Sequence, residues 1–137
     1  MSAKWLRLYI DGASRGNPGL SGAGIVILDE RNQVLAQLAH FLGEATNNVA
    51  EYQALIYGLK HAKLLTATHL TILSDSLLLV NQLNGLYQVR SPHLLSLFKQ
   101  AQDLIKTFQK VEFIHIPREF NKEADRLANQ AIDRRNS

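Results

Sequence analysis

The sequence contains no cysteine. That removes disulfide frameworks and thiolate metal sites, permits a cytoplasmic setting, and leaves oxygen and imidazole as the only ligands for a metal ion. Also missing is any apolar run near the ~20 residues needed to cross a bilayer. The stretch from Trp5 to Ile10 is short and carries Arg7, so it is neither a signal-peptide core nor an anchor, and no membrane partner is expected. There is no large excess of one charge: 15 Lys and Arg against 12 Asp and Glu leave +3, a lean toward a polyanionic partner without the profile of a purely electrostatic binder. Internal repeats, low-complexity tracts and linker-like stretches are absent as well. What remains is 137 residues, 46% hydrophobic and 20% charged, enough to bury a real core. The expectation is one soluble, unprocessed domain over residues 1–137, acting as a monomer.

Along the chain, Leu6, Leu8 and Ile10 alternate with Arg7 and Tyr9, which predicts a half-buried strand ending at Asp11-Gly12, where turn chemistry begins. "GAGIVILD" and "QVLAQLAHF" flank the polar turn "DERN" and predict a hairpin. A helical pattern runs from Asn48, placed as N-cap with Glu51 three residues on, to about Leu65. "HLTILSD" reads as a strand, "SLLLVNQLNG" as a short helix, and Ser91-Pro92 opens a helix to about Phe108. "VEFIHIP" is a last strand, and Asn121 caps a helix to about Arg134. Three strands in a meander, followed by strands alternating with helices, predict an α/β fold: a mixed sheet with helices packed on its faces.

Four acids stand out by position. Asp11 ends the first strand, though Asp-Gly is also ordinary turn chemistry. Glu51 falls on the same side of its helix as Leu55, Gly58 and Ala62, so its carboxylate lies inside an apolar face, where an unpaired charge is costly. Asp75 ends a strand and opens a helix, where it or Ser74 can serve as N-cap. Asp125 projects from the border of the last helix's apolar face, formed by Ala124, Leu127, Ala128, Ala131 and Ile132, and a solvated position facing Asn129 fits it too. If the first and fourth strands are neighbours, all four can meet at one sheet edge, beyond the strand ends where ligands gather in α/β folds. Carboxylates so crowded repel one another unless cations neutralise them, which suits a divalent metal site of hard oxygen ligands for Mg²⁺ or Mn²⁺. Two such ions serve in-line displacement at phosphorus, and that points to nucleic acid.

"YIDGASRGNPG", "TNNVAEYQAL", "LSDS" and "NKEADRLAN", in that order, resemble type 1 ribonuclease H, and the likeness covers about residues 6–132. It implies a ribonuclease H-like fold, a five-stranded mixed sheet with helices on both faces, and sequence-independent cutting of the RNA strand of RNA/DNA hybrids. It places Asp11, Glu51, Asp75 and Asp125 as catalytic, metal-binding carboxylates holding two Mg²⁺ ions, with Mn²⁺ as substitute. It also places Asn17, Thr46, Asn47 and Asn48 at substrate-binding positions, alongside Gly12, whose missing side chain would let the nucleic-acid backbone approach. Capping is the competing role for the asparagines, one of which can cap while the other binds.

The sequence departs from many relatives at three points. Leu77 stands where many carry a groove-contacting glutamine, "NGLYQVRSP" is too short for the basic, tryptophan-rich handle, and "IPREFNKEAD" lacks the loop histidine that assists product release in some. Arg118 is the expected stand-in as a substrate-gripping residue, the competing role being an exposed helix-entry arginine beside Glu119. His115 is expected to be a structural strand residue. Two alternatives to hybrid cleavage follow. One is a nuclease of the same fold that also cuts duplex RNA; the other is a catalytically weak hybrid-binding module, against which the presence of all four acids argues.

Overall fold

Alternating burial at Leu6, Leu8 and Ile10 builds the central strand of a five-stranded sheet. The structure is a computed structural model describing residues 2–135. Its elements are β1 (Trp5–Gly16), β2 (Gly19–Leu28), β3 (Val34–Ala45), α1 (Asn47–Leu64), β4 (His69–Ser74), α2 (Leu77–Leu83), α3 (Pro92–Ile105), β5 (Lys110–His115) and α4 (Lys122–Asp133), with a 3₁₀ turn at Arg118–Phe120 before α4. The strands lie in the order β3-β2-β1-β4-β5, the first three antiparallel and β1, β4 and β5 parallel. The predicted mixed sheet is present, and the first and fourth strands are neighbours, the condition on which the four acids could meet.

The pleat sorts the two faces. Ala23, Ile25 and Ile27 join Leu6, Leu8, Ile10, Leu70 and Ile72 against α1 and α3, where Leu55, Leu59, Ala62, Leu97 and Ala101 complete the main core. Each fully buried Leu or Ile there contributes about 1.5–3 kcal/mol over its exposed state. Gly22, Gly24 and Val26 turn the other way, toward the small face of α4. That face is Ala124, Leu127, Ala128, Ala131 and Ile132, all buried as expected.

Two glycines set how closely the helices seat. A Cβ on Gly24 would lie 1.9 Å from the Ala124 carbonyl oxygen, and one on Gly12 would lie 2.3 Å from the Ala50 carbonyl carbon and 2.4 Å from the Glu51 nitrogen. Only a residue without a side chain lets α4 on one face and the start of α1 on the other come so near. Gly24 is paired with Asp11 across the β1–β2 ladder, so both helices are drawn to the same point of the central strand.

Several local expectations need correction. β1 does not end at Asp11-Gly12 but continues to Gly16, paired with β2 over small residues that carry no apolar alternation. The ladder that ends there is the parallel one with β4, whose last pair is Tyr9–Leu73. Helix α1 starts a residue before Asn48, and Thr46 is its N-cap, the hydroxyl accepting from the Val49 N–H at 3.3 Å. Helix α2 is capped by Ser76 rather than Asp75 or Ser74. Asn121 occupies the cap position of α4 but makes no side-chain cap bond. His115 does lie in β5, as an exposed residue rather than a packed one.

Candidate active site

Past the Tyr9–Leu73 pair, β1 and β4 part, and the chain delivers its acids into the opening. Asp11 follows on β1, and Asp75 leaves the end of β4, where the Ser74 hydroxyl accepts from the Ser76 N–H at 3.0 Å and shapes the turn. Glu51 enters from the first turns of α1 because Gly12 admits that helix, and Asp125 enters from α4 because Gly24 admits that one. Asp11, Glu51 and Asp75 each offer a carboxylate oxygen within 4.8 Å of the others. Asp125 hydrogen-bonds to Asp11 and lines the same concavity of about 450 Å³. The apolar-face placement of Glu51 is thus correct, and the border placement of Asp125 is what aims it at this opening.

The electrostatics are unbalanced. Asp11 is 5% exposed and Glu51 8%. Burial, reinforced by the neighbouring Glu51, Asp75 and Asp125 charges, pushes the Asp11 carboxyl up to about 10. Glu51 also lies above the ordinary range, first through burial and then through Asp75, while an N–H bond from Gly12 and a bond from Asp11 pull it partly back. Asp11 is therefore the group that keeps a proton, which it shares with its neighbours. Three ion pairs, Arg15–Asp133, Lys110–Glu112 and Arg126–Glu123, lie on the exposed surface and none involves these acids. Among the described residues the only basic side chain lining the concavity is the exposed Arg118.

Glu51 Oε2 is buried with no hydrogen-bond partner. An unmatched carboxylate oxygen, facing other carboxylates and no buried cation, costs free energy unless a positive charge is brought to it. Four carboxylates and no sulfur form the donor set of a hard divalent cation. The residues present therefore fit a divalent metal ion.

The predicted binding residues divide between two adjoining concavities. Gly12, Asn47 and Arg118 line the acidic one. Asn17, Thr46 and Asn48 line a neighbouring one of about 670 Å³, on the far side of the first turn of α1. Gly12 needs a correction of role: the space its absent side chain leaves is filled by the α1 backbone, not left open to a nucleic acid. Asn17 and Thr46 double as caps, Asn17 Oδ1 accepting from the Asn47 N–H at 3.0 Å.

Sequence reasoning missed Ser14 in the acidic concavity and Ser91 and His93 in its neighbour, and it named Asn129 only as the residue that Asp125 faces. The Asn129 amide donates to the Asp125 carbonyl at 3.0 Å and to its carboxylate at 3.4 Å. The i, i+4 spacing that set Asp125 facing Asn129 in the sequence is this contact.

Comparison with known proteins places this geometry. Residues 9–131 match the reverse transcriptase-like domain family. A bifunctional protein of Mycobacterium tuberculosis is 48% identical over 90% of this chain, and the chain spans about a third, 34%, of that relative's length. A ribonuclease H of Chlorobium phaeobacteroides is 32% identical over 94% of this chain and 96% of its own. The solved N-terminal ribonuclease H domain of the Mycobacterium tuberculosis protein superposes with a TM-score of 0.93 at 44% identity, covering 96% of each chain. LC11 ribonuclease H1, solved in complex with an RNA/DNA hybrid, superposes with a TM-score of 0.92 at 39% identity, covering 96% of this chain and 99% of its own. Matches over nine-tenths or more of the chain, in sequence and in backbone, answer the question its clustered acids pose: the chain belongs to the type 1 ribonuclease H family.

Proposed function

We propose that the chain is a divalent-metal-dependent endoribonuclease that hydrolyses the RNA strand of RNA/DNA hybrids without sequence specificity, leaving 5′-phosphate and 3′-hydroxyl ends. The observation that carries this is the convergence of Asp11, Glu51, Asp75 and Asp125 on one concavity with no buried cation among the described residues and with Glu51 Oε2 unmatched. A solved relative bound to an RNA/DNA hybrid supports the choice of substrate. The four acids would hold two Mg²⁺ ions, for which Mn²⁺ could substitute; when bound, the ions would supply an activated water and stabilise the leaving oxygen of a phosphodiester.

The chain's own residues do the rest. Asp75 and Asp125, from β4's exit and α4, line the opening together with the buried Asp11 and Glu51. Arg118, exposed at the rim on the 3₁₀ turn, offers a fixed charge to the scissile or departing phosphate. With Asn17 Oδ1 and Thr46 Oγ1 each accepting one bond from the start of α1, the donors those side chains can offer are the Asn17 amide N–H₂ and the Thr46 O–H. Donors of that kind suit phosphate and 2′-hydroxyl oxygens and read no sequence. Asn47 and Asn48, on successive positions of α1, face the two concavities and would span neighbouring nucleotides. We place the protein in the cytoplasm as a monomer; no described helix is long and apolar enough to cross a membrane.

One observation favours a second reading, in which duplex RNA is cut as well. Leu77, half exposed at the start of α2 and two residues from Asp75, puts an apolar side chain where the family resemblance implies a groove contact. The test is incubation of purified protein with labelled RNA/DNA hybrid, duplex RNA and duplex DNA, in Mg²⁺, Mn²⁺ or chelator. Metal-dependent cutting of hybrid RNA is the expected result, and cutting of DNA alone, or of nothing, would overturn it. Cutting of duplex RNA beside hybrid would establish the broader reading.

A further inference from the structure

Asn121 is 1% exposed, one of the most buried polar side chains in the protein, and it stands at the N-terminal end of α4 without capping it. Asparagine there ordinarily satisfies an orphan N–H of the first turn. Here both amide hydrogens are spent elsewhere: Nδ2 donates to the Ile10 carbonyl at 2.8 Å and to Asp75 Oδ2 at 3.2 Å. Ile10 immediately precedes Asp11 and lies just beyond the last β1–β4 pair, so a side chain from a distant element holds the strand after its parallel partner has turned away. The Asn121 carbonyl in turn accepts the Asp125 N–H at 3.1 Å. One residue is thereby bonded to Asp75 itself, to the residue before Asp11, and to the backbone of Asp125.

The amide's orientation follows from its neighbours. Turned over, its oxygen would face the Ile10 carbonyl and the Asp75 carboxylate, two acceptors. In the observed orientation Oδ1 is buried with no partner, a cost that satisfying a cap would not have incurred.

We propose that Asn121 is the positioning residue of the metal site: it occupies one oxygen of Asp75, fixes the carboxylate's rotation so that the other oxygen faces Asp11 and Glu51, and locks β1 to α4 at the same point. This rests on the reading of the four acids as the metal-binding set. Groups that orient ligating carboxylates typically set metal affinity or activity by about 10–100-fold, and an effect of that order is expected here.

The test uses the whole chain, with Asn121→Ala and Asn121→Asp, the latter keeping the shape while removing both donors. Leu97→Ala, a core change on α3, which supplies none of the four acids, serves as the control for lost stability alone. Mn²⁺ affinity is read by calorimetry without substrate, and kcat and KM on hybrid are read separately. Both Asn121 variants are expected to weaken Mn²⁺ binding about tenfold or more and to lower kcat with KM changed less than twofold, while Leu97→Ala leaves Mn²⁺ affinity unchanged. In an Asp75→Asn background, Asn121→Ala should cost clearly less Mn²⁺ affinity than it does in the wild type, because the carboxylate it orients is gone and only its hold on β1 is left to lose. Unchanged Mn²⁺ affinity in a folded Asn121 variant, or a full additional loss on top of Asp75→Asn, would overturn the proposal.

Should both variants fail to fold, the wild type decides. The Asn121 side-chain amide resonances must move with Mg²⁺ titration, in step with the backbone of Asp75, and resonances that stay still would reject the role. Since neither metal binding nor the amide shift requires cleavage, a protein that binds Mn²⁺ but cuts no hybrid would count against the proposed activity and leave this inference standing.

Discussion

Asp11→Asn should stabilise the metal-free protein, by an amount that grows with pH. Asparagine keeps the size of a protonated aspartate and still donates a hydrogen bond, so the variant resembles wild type with its proton permanently in place. In the folded wild type Asp11 holds that proton up to about 10, whereas the unfolded chain releases it near 3.8. A folded-state value raised in this way gives stability that is full below about pH 4 and is lost as pH climbs toward the folded value. Each retained proton costs about 1.4 kcal/mol per pH unit, so pH 8 sets an upper bound of about 6 kcal/mol. Water entering an open concavity relaxes this, and a gain of about 2–4 kcal/mol for Asp11→Asn at pH 8 is expected, roughly 6–15 °C in Tm. The assay is urea and thermal unfolding of both proteins in EDTA at pH 7, 8 and 9. This window lies above the titration of His40, whose value burial and His61 lower. Wild type should lose stability relative to the variant by up to about 1.4 kcal/mol per unit. Saturating Mg²⁺ at pH 8 should raise the wild-type midpoint well above the shift it gives the variant. A difference between the two proteins that is flat with pH, or a variant less stable than wild type at pH 8, would refute the account of Asp11.

Asp75→Asn should fold normally and lower kcat on hybrid by about two orders of magnitude or more; near-normal turnover would reject Asp75 as a metal ligand. Arg118→Ala should raise KM for hybrid and make the dependence of log affinity on log salt shallower by about one, the signature of one lost phosphate contact, and an unchanged slope would return Arg118 to an ordinary surface role. Gly24→Ala should cost about 3 kcal/mol or more, measured by chemical unfolding, because its new methyl would meet the Ala124 carbonyl at 1.9 Å and α4 must lift. The same variant should bind Mn²⁺ less well, since α4 carries Asp125.

Much of this was legible in the residues. The alternation at Leu6, Leu8 and Ile10 and the small apolar face of α4 reported burial directly, because both patterns follow the geometry of their elements. Glu51 among Leu55, Gly58 and Ala62 announced a buried carboxylate before any contact was known. What escaped were features decided by partners distant in sequence. Asp11 looked like a strand end because Gly12, Ala13 and Ser14 carry no alternation, yet pairing with β2 keeps them extended. Thr46 rather than Asn48 caps α1, and Asn17, about thirty residues earlier, engages the next N–H, a partner no local pattern shows. Asn121 looked like a cap because local rules weigh only the helix it begins, whereas its amide is claimed by Ile10 and Asp75, over a hundred and over forty residues away.

The crowding of like charges around Asp11 sets a direction for mutational drift. A single acid-to-amide change at this cluster would abolish cutting and at the same time relieve repulsion in a frame whose concavities and helix caps stay intact. Silent descendants of such an enzyme would thus begin life sturdier than their parent and still able to grip a duplex, so that only continued demand for cleavage keeps the acids in place.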